Sequence, residues 1–175
     1  MNIYLIGFMG SGKSTAGKRI ASSLRWSFAD IDRLVEESEG ESVSVIFTRR
    51  GERYFREAES AALRAVSERS RTVIACGGGT PCSQENLQVM ASTGVTVWLR
   101  LPVKEITERL RRSHNIRPLL ADTMDSELDT TVTRLLESRE CWYEKADLVI
   151  DGVNDTIEDI TVKVAALVRE RGGYL

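Results

Sequence analysis

Histidine is almost missing from this sequence: His114 is the single one in 175 residues, and it reads as incidental. Cysteine is scarce and unpatterned, with Cys76, Cys82 and Cys141 forming no paired C-x-x-C spacing. Three such residues suit a reducing cytosol better than a disulfide framework or a zinc site, and they are expected as small core or loop residues. Only three prolines occur, with no repeat, low-complexity tract or Pro/Gly-rich linker, so nothing marks a domain boundary and residues 1–175 are expected to form a single domain. No apolar stretch approaches the length of a membrane span, and no basic segment precedes the first apolar run; a soluble, cytoplasmic protein without a membrane partner is expected. An excess of one charge sign is missing too. Lys and Arg number 24 against 26 Asp and Glu, and a net charge of −2 gives no electrostatic reason to expect nucleic acid. With 42% hydrophobic and 29% charged residues, the chain can bury a proper core without staples.

What the chain does hold is alternation. Short apolar runs at 3–6 ("IYLI"), 26–29 ("WSFA"), 72–75 ("TVIA"), 95–99 ("VTVWL") and 147–150 ("DLVI") read as strands. Most lack a polar period, as strands do when both faces are covered. Helical patterns separate them, most clearly at Ile157, Ile160, Val164, Leu167 and Val168, with "RGG" as the stop. This order predicts an α/β fold of three layers, a central five-stranded parallel sheet with helices on both faces. A ligand then belongs at the carboxyl ends of the strands.

The segment "GFMGSGKST" (Gly7 to Thr15) follows the first strand and fits G-x-x-x-x-G-K-[ST], the phosphate-cradling P-loop. Its glycines let backbone N–H groups turn toward phosphate oxygens, and the helix starting near Lys13 presents its positive end to the same anion. Gly10, Ser11, Gly12, Lys13, Ser14 and Thr15 are therefore the candidate nucleotide-binding residues. Lys13 is expected to neutralise the β- and γ-phosphates, packing against little else, and the Ser14 hydroxyl to ligate Mg2+. A dinucleotide-binding loop fits less well, since the third glycine of G-x-G-x-x-G is absent.

Four further patterns bear on the acceptor. Asp30 and Asp32 end the second strand in "FADIDRL"; if the extended run persists they point to one side, one toward Mg2+ and one toward an acceptor hydroxyl. Alternatively, an Asp here caps the following helix. "GERYFREAE" (51–59) begins a helix with Phe55, Ala58, Ala62 and Val66 as its apolar stripe, and Arg56 lies three residues before Glu59. That spacing serves either a guanidinium oriented for a substrate carboxylate or an ordinary surface ion pair, and spacing alone slightly favours the latter. "GGG" (77–79) marks either close approach of a ligand to the backbone or a wide turn. The stripe Leu128, Val132, Leu135 continues inward to Arg139 and Trp142, so Arg139 either snorkels outward or meets an anion in the cleft. Between the fourth strand and that stripe, "RLRRSHNIRPLLADTMDSELD" is a candidate lid.

Taken together, the ordered set "GFMGSGKST", "DID", "GERYFREAE", "GGG", "RPLL" and "RECWYEKAD" resembles the shikimate kinases, P-loop kinases of the nucleoside-monophosphate-kinase type. The resemblance covers the whole chain. It implies phosphorylation of the 3-hydroxyl of shikimate by ATP with Mg2+, on the route to chorismate and aromatic amino acids. It also implies a substrate-binding segment near 31–60, a mobile lid near 111–125, and a monomer whose partners are ATP and shikimate. Carried over by position, Lys13, Asp32 and Arg117 are catalytic, Asp32 serving as candidate base and ligand of the shikimate hydroxyls and Arg117 reaching the transferring phosphate. Arg56 and Arg139 would hold the shikimate carboxylate, with Glu59 orienting Arg56, and Gly78 and Gly79 would approach it through backbone N–H groups. Ser14 and Asp30 would share the metal shell, Asp30 through water. Arg109, Arg111 and Arg112 compete for the place against adenine, and Arg109 is favoured. Another small-molecule P-loop kinase, for gluconate or a nucleotide, would lack the two-arginine carboxylate clamp or use it for phosphate. A GTPase switch is disfavoured by the absence of N-K-x-D, and a binding-only protein by the intact Lys13, Ser14 and Asp32.

Overall fold

The computed structural model describes residues 1–113, 118–120 and 123–174. Five strands, β1 (Asn2–Ile6), β2 (Ser27–Asp30), β3 (Thr72–Ala75), β4 (Gly94–Arg100) and β5 (Leu148–Asp151), pair in parallel in the order β2-β3-β1-β4-β5. Seven helices connect and flank them among the described residues: α1 (Lys13–Leu24), α2 (Ile31–Glu39), α3 (Val43–Ser67), α4 (Gln84–Thr93), α5 (Val103–Arg112), α6 (Leu128–Tyr143) and α7 (Ile157–Glu170). The expected α/β sheet of five parallel strands is what forms, and none of these helices is long and apolar enough to cross a membrane.

Why the strands read as unbroken apolar runs follows from their two covered faces. Ile3 and Leu5 of β1, with Val73, Val95 and Val97, pack against Ala16 and Ile20 of α1 and Ile160, Val164 and Val168 of α7. Tyr4 and Ile6, with Ile74 and Trp98, point the other way onto Leu63 and Val66 of α3, Met90 of α4 and Tyr143 of α6. Successive residues thus alternate between two cores, and both are apolar.

Three of the boundaries that differ from those expected have a clear local reason. Trp26 lies before β2 because its N–H closes the end of α1, donating to Ala21 O at 2.8 Å behind Arg25, which adopts a left-handed φ of 56°. Asp147 lies before β5 because its carboxylate accepts from the Thr96 backbone N–H and hydroxyl. The helix expected from residue 51 starts earlier: Ser42 caps a first segment by accepting from Val45 N–H, and Gly51, at φ 82° and ψ 169°, kinks the chain into a second. The C-terminal helix is closed as expected, with a Thr156–Asp159 capping box at one end and Gly172 at φ 76° past the other.

Because β1 lies between β3 and β4, the chain builds first on one side of it and then on the other. The crevice of such a sheet opens outside the carboxyl end of β1, where Gly7 follows. At the opposite end Asn2, fully buried, donates from Nδ2 to Ser67 O (3.1 Å) and Arg69 O (2.8 Å) and accepts from Thr72 N–H (3.2 Å). Asn2→Ala should therefore lower the unfolding free energy by about 2–3 kcal/mol, since it strands these backbone groups. Urea denaturation measures this, and an unchanged midpoint would show that the backbone finds other partners.

Candidate active site

The loop between β1 and α1 turns on Gly7, Gly10 and Gly12, with φ of 135°, 80° and 90°. Only glycine occupies such angles freely, so the loop can curl tightly enough to aim backbone N–H groups inward. Lys13 opens α1 and is only 8% exposed; its Nζ donates to Gly7 O (2.9 Å), Phe8 O (2.8 Å) and Ser11 Oγ (3.4 Å). The expectation that this side chain packs against little else is thus corrected: the ammonium also cross-links the loop. Ser11 is buried under the loop and Thr15 is exposed on the first turn of α1. The Ser14 hydroxyl donates to Asp30 Oδ2 at 2.5 Å.

That bond decides between the readings of Asp30. The residue does occupy the N-cap position of α2, at φ −126° and ψ 121°, yet its side chain makes no cap hydrogen bond. The extended run ends there, so Asp32 belongs to the first helical turn rather than to the strand. Strand alternation therefore does not align the two carboxylates. They nevertheless line one cavity of about 840 Å3 together with Ser14, Lys18 and Pro118. Two oxygen donors, Ser14 and Asp30, meet at its edge, a donor set suited to a hard cation that keeps most of its shell as water and phosphate oxygens. Among the described residues no cluster of three or more His, Cys, Asp or Glu side chains forms a protein cage for a metal.

The three glycines after β3 explain the acceptor side. A methyl group on Gly77 would stand 2.8 Å from Asp32 Oδ1 and closer still to Glu59 Oε1. On Gly78 it would lie 3.3 Å from Arg139 Nη1 and from the Met9 backbone N, and on Gly79 it would be 2.5 Å from Arg56 Cζ. Side-chain-free backbone is what lets four charged groups from α2, α3 and α6 converge beside the phosphate loop.

Arg56 and Glu59 do pair, Nη1 to Oε2 at 2.9 Å, but not on the surface: Glu59 is 1% exposed. The Thr80 hydroxyl donates to its other oxygen at 2.6 Å, and Glu52 holds Arg56 from the solvent side. Burial alone would lower the Arg56 pKa; the Glu59 and Glu52 carboxylates outweigh it and raise it. Arg139 is 9% exposed and has no carboxylate partner among the described residues. Its guanidinium lies 5.7 Å over the Phe8 ring. One turn on, the Tyr143 hydroxyl donates to Gly78 O at 2.6 Å, with its own pKa pushed up by burial. Arg139 thus faces the cleft rather than snorkelling outward. Its inward companion is Tyr143, not Trp142, which is half-buried with Lys145 at 4.4 Å from its ring centroid. Arg56, Glu59, Gly79, Cys82 and Arg139 line a second cavity of about 360 Å3.

Of the three arginines at the end of α5, Arg109 alone lies by the phosphate loop, its Nη1 3.6 Å from where a Gly12 Cβ would stand. Arg111 is paired with Asp125 (3.0 Å) and Asp129 (3.3 Å), and Arg112 with Glu108 (3.6 Å). Arg117 and His114 lie outside the described residues, so only the flanks of the 111–125 segment are seen, including Leu120 packed on the cluster around Phe8. Sequence reasoning passed over Thr80, Tyr143 and Phe8. The hydroxyl directly after "GGG" and the tyrosine at i+4 from Arg139 were the available signals.

The profile of the shikimate kinase family matches residues 9–169. A shikimate kinase from Geobacter metallireducens is 38% identical over 170 residues, covering 97% of this chain and 93% of its own. The solved shikimate kinase from Acinetobacter baumannii in complex with shikimate superposes with a TM-score of 0.88 at 32% identity, over 97% of this chain and 93% of that one. A gluconokinase from Sinorhizobium meliloti, at TM-score 0.56 and 21% identity over 97% and 92% of the two chains, shares the fold alone.

The thiols differ in a way that can be measured. Cys141 is exposed on α6, neither core nor loop as composition suggests; Cys82 is half-buried with its pKa pushed up to about 11 by burial against the pull of Arg139 and Arg56; and Cys76 is buried. Iodoacetamide at pH 8 should label Cys141 well before Cys82, and Cys76 last, since only the accessible thiolate reacts. Peptide mass spectrometry over a time course reads the order, and Cys82 labelling first would contradict this account of its surroundings.

Proposed function

Because the chain belongs to the shikimate kinase family, an ATP-dependent enzyme forming shikimate 3-phosphate, we propose how its own residues divide that reaction. The observation that carries the reading is the pair of guanidinium groups, Arg56 and Arg139, held over Gly79 and Gly78 beside the phosphate loop. Arg139 is a buried cation without a carboxylate partner among the described residues, and Arg56 is fixed in orientation by Glu59. Two such groups suit a carboxylate on the acceptor, and their position at the loop brings the acceptor to the transferring phosphoryl group.

On the donor side, the backbone of Gly10 to Thr15 and the start of α1 receive the phosphates of ATP. Lys13 exchanges loop carbonyls for phosphate oxygens, and Arg109 lies against the base. Ser14, and Asp30 through water, would hold Mg2+, which when bound would neutralise charge on the β- and γ-phosphates. Asp32, at the rim of the cavity and beside Gly77, accepts the proton of the attacking 3-hydroxyl as the O–P bond forms and the bond to the ADP oxygen breaks. Gly78 and Gly79 approach shikimate through the backbone, and Arg117 reaches the phosphates from the 111–125 lid. Three free cysteines agree with a cytoplasmic setting, and a monomer supplies all of these residues from one chain.

Arg139→Ala and Arg56→Ala should each raise the KM for shikimate by roughly 30- to 700-fold, about 2–4 kcal/mol for a charge-assisted pair in a desolvated site, with little change for ATP. An ADP-release assay with shikimate, gluconate and nucleoside monophosphates measures this. Turnover of a nucleoside monophosphate but not shikimate would overturn the assignment, and equal changes in both KM values would indicate general destabilisation.

The two aspartates should separate in a Mg2+ titration. Asp30→Asn should regain activity at least in part as Mg2+ is raised, with shikimate affinity near normal, because it weakens only the metal shell. Asp32→Asn should stay largely inactive at every Mg2+ concentration while still binding nucleotide, since an amide cannot accept the hydroxyl proton. Identical responses of the two variants would cancel this division.

A further inference from the structure

Glu59 is a carboxylate taken out of water with both oxygens committed. Oε2 accepts from Arg56 Nη1 at 2.9 Å and Oε1 from the Thr80 hydroxyl at 2.6 Å. A buried charge in this state holds its geometry only while both sides are satisfied. On the Arg56 side the other partner, Glu52, is half-exposed, so the restraint it supplies is screened by solvent. The orientation of Arg56 therefore depends mainly on Glu59, and that of Glu59 on whatever fixes Oε1.

What fixes it is pinned in turn. Thr80 is fully buried; its N–H donates to Gly77 O at 3.1 Å and its carbonyl accepts from Asn86 Nδ2 at 2.8 Å. Asn86, on the first turn of α4, also donates to Ser60 Oγ at 3.1 Å, tying the turn back to α3 one residue past Glu59. The missing Cβ of Gly77 opens the path between the hydroxyl and Oε1, since a methyl there would stand 3.1 Å from Thr80 Oγ1 and against Glu59 Oε1. The hydroxyl is thus delivered by a turn that the backbone holds on both sides.

We propose that Thr80 is a positioning residue for acceptor recognition, its hydroxyl fixing Glu59 and Glu59 fixing the guanidinium plane of Arg56 that meets the substrate carboxylate. This rests on reading Arg56 as a shikimate-carboxylate ligand. Thr80 touches neither substrate nor the reacting atoms, so its removal acts on binding of the acceptor and not on the transfer step.

Thr80→Val keeps the shape and deletes the donor. It should raise the KM for shikimate about 5- to 20-fold, leaving kcat and the KM for ATP within about twofold. Thr80→Ser restores the donor and should return the shikimate KM to within about twofold of the wild type. Combined with Arg56→Ala, Thr80→Val should add almost nothing, because both act through one guanidinium. Should Thr80→Val not fold, Thr80→Ala removes the same hydroxyl and carries the same expectation. A wild-type shikimate KM in the Val or Ala variant, a parallel shift of both KM values and kcat, or an effect that multiplies with that of Arg56→Ala each overturns the proposal. An unchanged shikimate KM in Arg56→Ala would bring down the clamp and this inference together, whereas a normal Thr80→Val beside an impaired Arg56→Ala overturns this inference only.

Discussion

The burial of β1 dictates where chemistry can happen in this chain. The strand is flanked by β3 and β4 and covered on both faces, and all five of its residues are buried. A parallel strand so enclosed offers no side chain to a ligand along its length, so phosphate recognition begins only at Gly7, where the strand ends. The same limit applies to β3, whose four residues are buried and whose continuation is Cys76 and the glycine turn. Two neighbouring strands thus release their chains at the same edge, so close together that a methyl group on Gly78 would stand 3.3 Å from the Met9 backbone N.

At that edge the difficulty is to hold cations in a partly dry place. Arg56 solves it by pairing with a buried carboxylate, Arg139 by resting on the Phe8 ring with no carboxylate partner among the described residues. The two solutions have different consequences. A guanidinium paired with Glu59 is rigid and already balanced in charge, so it contributes direction; one lying on an aromatic face keeps its charge for the ligand. Lys13 is tied down differently, donating to the loop carbonyls of Gly7 and Phe8. Those bonds help the loop keep its shape before a phosphate arrives.

Much of this was legible in the sequence where a pattern is local. The phosphate loop, the two aspartates, the Arg56–Glu59 spacing and the five apolar runs all lie within short windows, and each is found near where it was expected. What was not legible depends on partners far apart in the chain. Spacing alone made Arg56–Glu59 a surface pair, because burial of Glu59 comes from Thr80, 21 residues on. Nothing near Asp30 announced that Ser14, 16 residues earlier, would draw its carboxylate away from capping α2. Continuing the stripe puts Trp142 inward, yet Tyr143 is the one that faces in, because an apolar stripe cannot say which of two adjacent aromatics also reaches a carbonyl at Gly78. Gly51 reads as a helix start because a glycine interrupts the pattern there, although Val43, Ile46 and Phe47 behind the Ser42 cap already hold helical spacing.

A gluconokinase shares this fold and no more, so the fold by itself does not name an acceptor. Strand order and phosphate loop set where a phosphoryl group is delivered, and they place no demand on what receives it. The proposed acceptor site instead uses α3, the 77–79 turn and α6, elements whose packing on the sheet uses Leu63, Val66 and Tyr143 but leaves Arg56 and Arg139 for the cleft. Those two faces are separable on each helix: Leu63 and Val66 hold α3 down and Tyr143 holds α6, while Arg56 and Arg139, the proposed ligands of the acceptor, line the cleft. A change of acceptor therefore needs no change of core, since the proposed recognition of a carboxylate rests on two arginines, one buried glutamate and three glycines that make room for them.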